Sequence, residues 1–307
     1  MAESSERGEV RSKVTDLLAA ARRWVRRLPA AELRREPVIG LALGGGFARG
    51  IAHVGVLRVL EQHKIPIRLV AGVSAGSIVA AAFASGATPE EIGRAGESMR
   101  FRDVARWTLS RLGLVGSDRM TSFLQHLLKV YTFEEMRIPL AVAASDITTG
   151  KPMIFRGKGE VFLPIRASCS YPGLFQPIRY QDRYLVDGAI TMEIPTLPLK
   201  QMGATRVIAV YLPMQSPLVD PQNMFRVVNR CFQILQARTE WEWRRHADLV
   251  IAPDVHGMSW DSFDSAKKLI EAGEKAALAA LPRIRSWLGR DSEAVDLAAR
   301  KPLTVGT

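Results

Sequence analysis

The chain has 307 residues, 47% of them hydrophobic and 24% charged, an ordinary globular composition with room for one large core or two modest ones. No apolar run reaches the roughly 18 residues needed to cross a bilayer, and no metal-type His or Cys spacing occurs, so neither a membrane span nor a bound metal is expected. The formal net charge of +11 favours polyanions, either nucleic acid or an anionic membrane face, and does not choose between them.

The N-terminus, Met1 to Val10, holds Glu3, Glu6 and Glu9 and no apolar h-region, which argues against a secretory signal or an acid-poor transit peptide. Residues 8–28 read as an amphipathic helix. Val14, Leu17, Leu18, Trp24, Val25 and Leu28 share an arc of roughly 120°, with Arg22, Arg23, Arg26 and Arg27 on the other side. That pattern fits either an interfacial anchor or a helix docked on the main domain. A short linker then leads to Pro37. The expected organisation is 1–36 helix and linker, 37–290 main domain, and 291–307 tail.

Val38–Leu43 reads as a buried strand running into Gly44-Gly45-Gly46-Phe47-Ala48-Arg49-Gly50. Arg49–His63 then has helical period. A glycine-rich strand-to-helix turn points backbone N–H groups outward, where the helix dipole also favours an anion. The anion is either a nucleotide phosphate or the oxyanion of acyl transfer. The phosphate patterns fit poorly: no Gly-Lys-Ser/Thr follows, and Arg49 stands where the last glycine of G-x-G-x-x-G belongs.

Leu69–Ala71 reads as a second strand and Ser77–Ser85 as a tightly packed helix. Between them lies Gly72-Val73-Ser74-Ala75-Gly76, a G-x-S-x-G nucleophile elbow in the strand–turn–helix context the motif requires. Gly72 and Gly76 flank Ser74 where side chains would crowd the turn. Thr88, Pro89 and Glu90–Glu91 mark the next helix start. Phe101–Leu114 mixes Trp107, Leu109, Leu112 and Leu114 with Arg100, Arg102, Arg106 and Arg111, and reads as a lid touching lipid or a helical segment capping the core.

Leu140–Ala144 and Pro152–Phe155 look like strands joined at Thr149-Gly150. Tyr184–Val186, Val207–Leu212 and Leu249–Ile251 look like three more, with long helices over Phe225–Arg245 and Ser265–Leu288. Strands alternating with helices predict an α/β fold with a mostly parallel sheet. Asp187-Gly188-Ala189 follows a strand. A carboxylate there could serve Ser74 as base, yet Asp-Gly is above all a turn dipeptide. A histidine base in a Ser, Asp, His order leaves His246, at a basic helix end, and His256, in a loop. His53 reads as packing or capping, and His63 and His126 as helix-surface residues. Cys169 and Cys231 read as small core residues, and two free thiols suit a reducing, cytoplasmic compartment.

Five blocks in order resemble the patatin-like phospholipases over about residues 37–255. They are the glycine loop with Arg49, the elbow at Ser74, Ala144-Ser145-Asp146-Ile147-Thr148-Thr149-Gly150, Ala167-Ser168-Cys169-Ser170-Tyr171-Pro172-Gly173-Leu174-Phe175-Gln176-Pro177, and Asp187-Gly188-Ala189. The third residue of the last block is often Gly in that family; here it is Ala189. The resemblance implies a three-layer α/β/α domain with a central mostly parallel sheet. It implies a Ser–Asp dyad without histidine, in which Ser74 attacks an ester carbonyl and Asp187 accepts its proton. The N–H groups of Gly44, Gly45 and Gly46 would receive the oxyanion, with Arg49 steadying the loop or meeting a phosphate. A phospholipid or lysophospholipid substrate, transient contact with the inner membrane face, no cofactor and no nucleic acid follow as expectations. The alternatives are a non-catalytic membrane-associated scaffold, or a general carboxylesterase or thioesterase.

Overall fold

The computed structural model describes residues 36–213, 224–258 and 265–289. The helix read over 8–28, most of its linker and the tail 291–307 lie outside the described residues. Among the described residues the centre is an eight-stranded sheet. Its parallel half runs β10 (Leu249–Ile251), β9 (Arg206–Val210), β1 (Ile39–Leu43), β2 (Ile67–Val73) and β5 (Leu140–Asp146). Beyond β5 the direction reverses. β6 (Lys151–Arg156) and β8 (Arg183–Asp187) both pair antiparallel with β5, and β7 (Ile178–Tyr180) closes the edge on β8.

The central strands are apolar on both faces, as a sheet covered on both sides requires. Ile39, Leu41 and Leu43 of β1 join one core with Val54, Val56 and Leu57 of α1 (Ala52–Gln62) and Ile270 and Ile284 of α9 (Ala266–Trp287). Ala42 faces the other way, with Ala71 and Ala209, onto Leu199 of α7 (Thr196–Gln201) and Trp243 of α8 (Met224–Arg244). This alternation makes the three layers. α2 (Ala75–Ser85) follows β2, and α3 (Pro89–Ser98) starts on a capping box in which Thr88 Oγ1 accepts from Glu91 N–H and the Glu91 carboxylate accepts from Thr88 N–H.

Several expectations change. Phe101–Leu114 is not one helical segment. It is a single turn, α4 (Phe101–Val104), followed by an antiparallel ribbon of β3 (Arg106–Ser110) and β4 (Gly113–Gly116). α5 (Asp118–Leu127) carries His126, read as a helix-surface residue, while α6 (Phe162–Ser168) and α7 are additional to the helices read from the sequence. Cys169 is buried, but Cys231 is exposed on α8 rather than in the core.

Candidate active site

The sheet register explains how residues 74 and 187 meet. β2 and β8 approach each other head-on along one edge of β5: Val73 lies opposite Ala143, and Asp187 lies opposite the next residue, Ala144. The chain leaves β2 at Ser74, which adopts φ 51° and ψ −131°, a left-handed conformation that strains any residue with a Cβ. A Cβ at Gly72 would stand 2.5 Å from the Gly76 carbonyl oxygen, and one at Gly76 would stand 2.3 Å from that of Leu43, so only glycine fits on either side of the elbow. Gly188 is equally constrained, with a Cβ placed 2.1 Å from the Ala143 carbonyl oxygen.

Ser74 Oγ donates to Asp187 Oδ2 at 2.7 Å, and Ala189 N–H donates to Asp187 Oδ1 at 2.9 Å. Both partners are buried, Ser74 at 7% and Asp187 at 2% exposure. Burial pushes the Asp187 carboxyl up to about 6, and the two hydrogen bonds it accepts offset part of that rise. Ser168 holds the elbow from behind: its Oγ accepts from Ser74 N–H at 2.8 Å and donates to the Ala143 carbonyl at 2.6 Å.

The glycine loop arrives on the same side because Leu43 pairs with Gly72, which puts Gly45 level with Ser74. A Cβ on Gly45 would lie 3.2 Å from that of Ser74. The three loop amides differ. Gly44 N–H donates to the Val210 carbonyl at 3.2 Å as a continuation of the β1–β9 ladder, so it is not free to receive an oxyanion as expected. Gly45 and Gly46 N–H have no backbone or side-chain acceptor among the described residues. His53 is fully buried beneath the loop, its Nε2–H donating to the Gly44 carbonyl at 2.8 Å; since a carbonyl only accepts, this ring nitrogen carries the proton. Desolvation drives its pKa down to about 4 and keeps it neutral. Arg49 is 6% exposed, with Nη1 3.5 Å from the Pro213 carbonyl, and is not among the residues lining the crevice; it braces the loop against the segment that follows β9.

This arrangement coincides with a family match: residues 41–200, about half of the chain, fit the model of the Patatin-like phospholipase family. The chain belongs to the patatin-like phospholipase family. An uncharacterised NTE family protein of Mycobacterium tuberculosis is 31% identical over 179 residues, 57% of this patatin-like chain and 49% of the relative. The lysophospholipase NTE1 of Meyerozyma guilliermondii is 34% identical over 189 residues, 60% of this chain and 13% of NTE1. The chain thus spans about half the length of the mycobacterial relative and far less of NTE1. Among solved structures, VipD from Legionella pneumophila aligns at 13% identity over 81% of this chain and 67% of its own, with a TM-score of 0.48. Human GIVD cytosolic phospholipase A2 aligns at 12% identity over 83% and 60%, with a TM-score of 0.42.

Two clefts meet at Ser74 of the patatin-like domain. One, about 460 Å³, is lined by Gly44, Gly45, Gly46, Asp187, Tyr171, Glu193 and Tyr211. The other, about 490 Å³, is apolar; it passes from Ser74 and Ala75 along Ile78, Met99 and Phe101. Phe47 stands in the wall of both, its ring 5.0 Å from that of Tyr171. Two residues near the site, Ser168 and Glu193, carry roles that no sequence signal marks, whereas His53, read as packing or capping, is buried and bonds the Gly44 carbonyl. Glu193 accepts from Trp243 Nε1–H at 2.9 Å, and burial pushes its carboxyl up to about 7. Ser168 lies within the Ala167–Pro177 block without a local signal of its own, and Glu193 has none. His256, the alternative base, is exposed in a loop and does not line the crevice. His246 is likewise not among the residues lining the crevice.

Proposed function

We propose that the protein is a lipid acyl hydrolase of the phospholipase A or lysophospholipase type, with residues 37–290 as its catalytic domain. The observation carrying this reading is the 2.7 Å hydrogen bond from Ser74 Oγ to a buried Asp187 beside the free amides of Gly45 and Gly46. Ser74 Oγ attacks the ester carbonyl as its proton passes to Asp187 Oδ2. The oxyanion is received by Gly45 and Gly46 N–H, aided by the positive end of α2, whose N-cap is Ser74. Collapse breaks the ester C–O bond, and the alcohol leaves with the proton from Asp187. Asp187 then takes a proton from water, whose oxygen attacks the acyl-serine; collapse breaks the acyl–Oγ bond, returns that proton from Asp187 to Ser74 Oγ and releases the fatty acid. A carboxylate of ordinary pKa near 4 is a weak base for a hydroxyl; a carboxyl held near 6 is a stronger one and is still ionised at pH 7.

Family membership and the likeness of residues in the matched segment to a protein named as a lysophospholipase support the substrate class. The apolar cleft at Ser74 supports an acyl chain, and contact with a membrane surface follows from where that substrate resides. The test is covalent labelling by a fluorophosphonate probe together with turnover of mixed phospholipids and lysophospholipids. Labelling is expected in the wild type and lost in Ser74→Ala, and Ser74→Ala and Asp187→Asn each lower turnover by a factor on the order of 10³ or more. Near wild-type turnover in either variant removes the dyad; comparable cleavage of a peptide amide removes the lipid assignment.

A further inference from the structure

The β3–β4 ribbon exposes side chains that a water-facing surface does not explain. Trp107 is 72% exposed, Leu112 60% and Leu114 51%, all within ten residues. Large apolar side chains grouped on one projection mark a contact surface. Charge surrounds them: between residues 100 and 119 the chain has five arginines, at 100, 102, 106, 111 and 119, against two aspartates, Asp103 and Asp118. Asp118 is already paired with Arg166 at 2.6 Å, and Asp103 accepts from the backbone of Arg100. Arg106 and Arg111 have no ion-pair partner among the described residues, and both are exposed.

The root of this ribbon is the wall of the apolar cleft. Leu114 and Val115 N–H donate to the Leu174 carbonyl at 3.0 and 2.9 Å, and Gln176 N–H donates to the Val115 carbonyl at 3.0 Å. Phe175, held by that pairing, and Phe101 and Val104, just before β3, line the cleft that ends on Ser74.

We propose that the β3–β4 ribbon is a membrane-docking element that inserts Trp107, Leu112 and Leu114 into an anionic lipid surface while Arg106 and Arg111 meet its phosphates. Indole and leucine side chains settle at the headgroup–acyl boundary, and guanidinium groups pair with phosphate oxygens in bidentate fashion. A zwitterionic surface carries phosphates but no net negative potential to draw the arginines in, and a cationic one repels them, so the occupant is an anionic bilayer. Docking sets the wall of the acyl cleft against the interface, and a lipid chain reaches Ser74 without crossing water. That delivery step rests on the reading of Ser74 as nucleophile; the docking does not.

The experiment is co-sedimentation of the full chain with vesicles of phosphatidylcholine alone or with about 30% phosphatidylglycerol. Wild type and Ser74→Ala are expected to bind the anionic vesicles alike and the neutral ones far less. Trp107→Ala/Leu112→Ala and Arg106→Glu/Arg111→Glu each lower anionic-vesicle partitioning at least about tenfold, while turnover of a water-soluble short-chain ester stays at the wild-type level and reports an intact fold. Wild-type partitioning in both double variants overturns the proposal and moves docking elsewhere. No vesicle binding by the wild type also overturns it, and leaves the patch to an acidic protein partner. If Ser74→Ala binds vesicles but the wild type hydrolyses no ester, the docking stands and the hydrolase reading falls.

Discussion

Asp187 carries a conflict between stability and chemistry, and pH exposes it. Its carboxyl sits near 6 in the fold against an ordinary value near 4. The folded chain therefore binds a proton that the unfolded chain has released between those values. The stability this contributes is complete below about 4 and is lost as pH rises through about 6. Asp187→Asn removes the ionisation and keeps the shape: the amide oxygen accepts from Ala189 N–H, and the amide NH₂ turns towards Ser74 Oγ. Urea titrations at pH 8 are expected to show the variant more stable than wild type by on the order of 2 kcal/mol, with the gap closing below pH 4. The same ionisation gives kcat/KM for a short-chain ester an acid limb near pH 6. Glu193, pushed up to about 7 in the same crevice, is the competing titrant. A limb that persists in Glu193→Gln belongs to Asp187; one that vanishes with Glu193 does not. Ser168 supplies a second residue-level prediction. Replacing it by Ala leaves Ser74 N–H and the Ala143 carbonyl buried without their partner. Ser168→Ala is expected to lower stability by about 2 kcal/mol in urea unfolding and to slow fluorophosphonate labelling of Ser74.

Among the elements, α1 and α9 pack so closely that their glycines are fixed by contact. A Cβ at Gly55 would stand 2.0 Å from the Ile270 carbonyl oxygen, and one at Gly273 would stand 2.0 Å from that of Ala52. α1 also carries His53, so this packing seats the glycine loop. Gly55→Ala is expected to cost about 2–4 kcal/mol, read as a fall in urea midpoint with unchanged slope. Elements of this kind were legible where local chemistry punctuates the chain. The turn at Ser74 announces itself through Gly72 and Gly76, and α3 through Thr88, Pro89 and Glu91. The reversal of the sheet past β5 was not legible, because a short apolar run such as Tyr184–Val186 carries no direction. Without direction, Asp187 reads as a turn residue; it faces Ser74 only because β8 runs antiparallel and ends one residue beyond where β2 stops. The triple glycine was legible as an anion site, but the loss of Gly44 to the ladder with Val210 depends on a neighbour 166 positions away and had no local signal. The β3–β4 ribbon was misread because periodicity reports a buried side, and Trp107, Leu112 and Leu114 have none.

At the scale of the molecule, the proposed acyl hydrolysis needs two unlike environments around one hydroxyl, and the fold supplies them by placing the carboxyl ends of β1 and β2 beside α2 and α3. On the loop side, the crevice carries Glu193, Tyr171 and Tyr211 and suits the polar half of an ester. On the helix side, the cleft from Ser74 shares Phe47, Ala48, Ala75, Ile78 and Met99 with a further apolar space of about 540 Å³ that runs between α2, α3 and α5 to Phe123 and Leu127. An acyl chain that runs from the one space into the other passes Ile78 near its start and reaches Leu127 only if it is long. Burying each CH₂ contributes about 0.8 kcal/mol, so chain length is converted into transition-state binding only while the path is open. Ile78→Trp fills the path one helical turn beyond Ser74 without touching the glycine loop or Asp187. For a homologous series of esters, kcat/KM in the wild type is expected to rise with chain length. In Ile78→Trp the short-chain esters keep their wild-type values, and long-chain esters fall by at least about tenfold, which corresponds to roughly two methylenes denied their contact. An equal fall across the whole series would mean that the tryptophan had disturbed the elbow, and a series unchanged at every length would place the acyl chain outside this cleft.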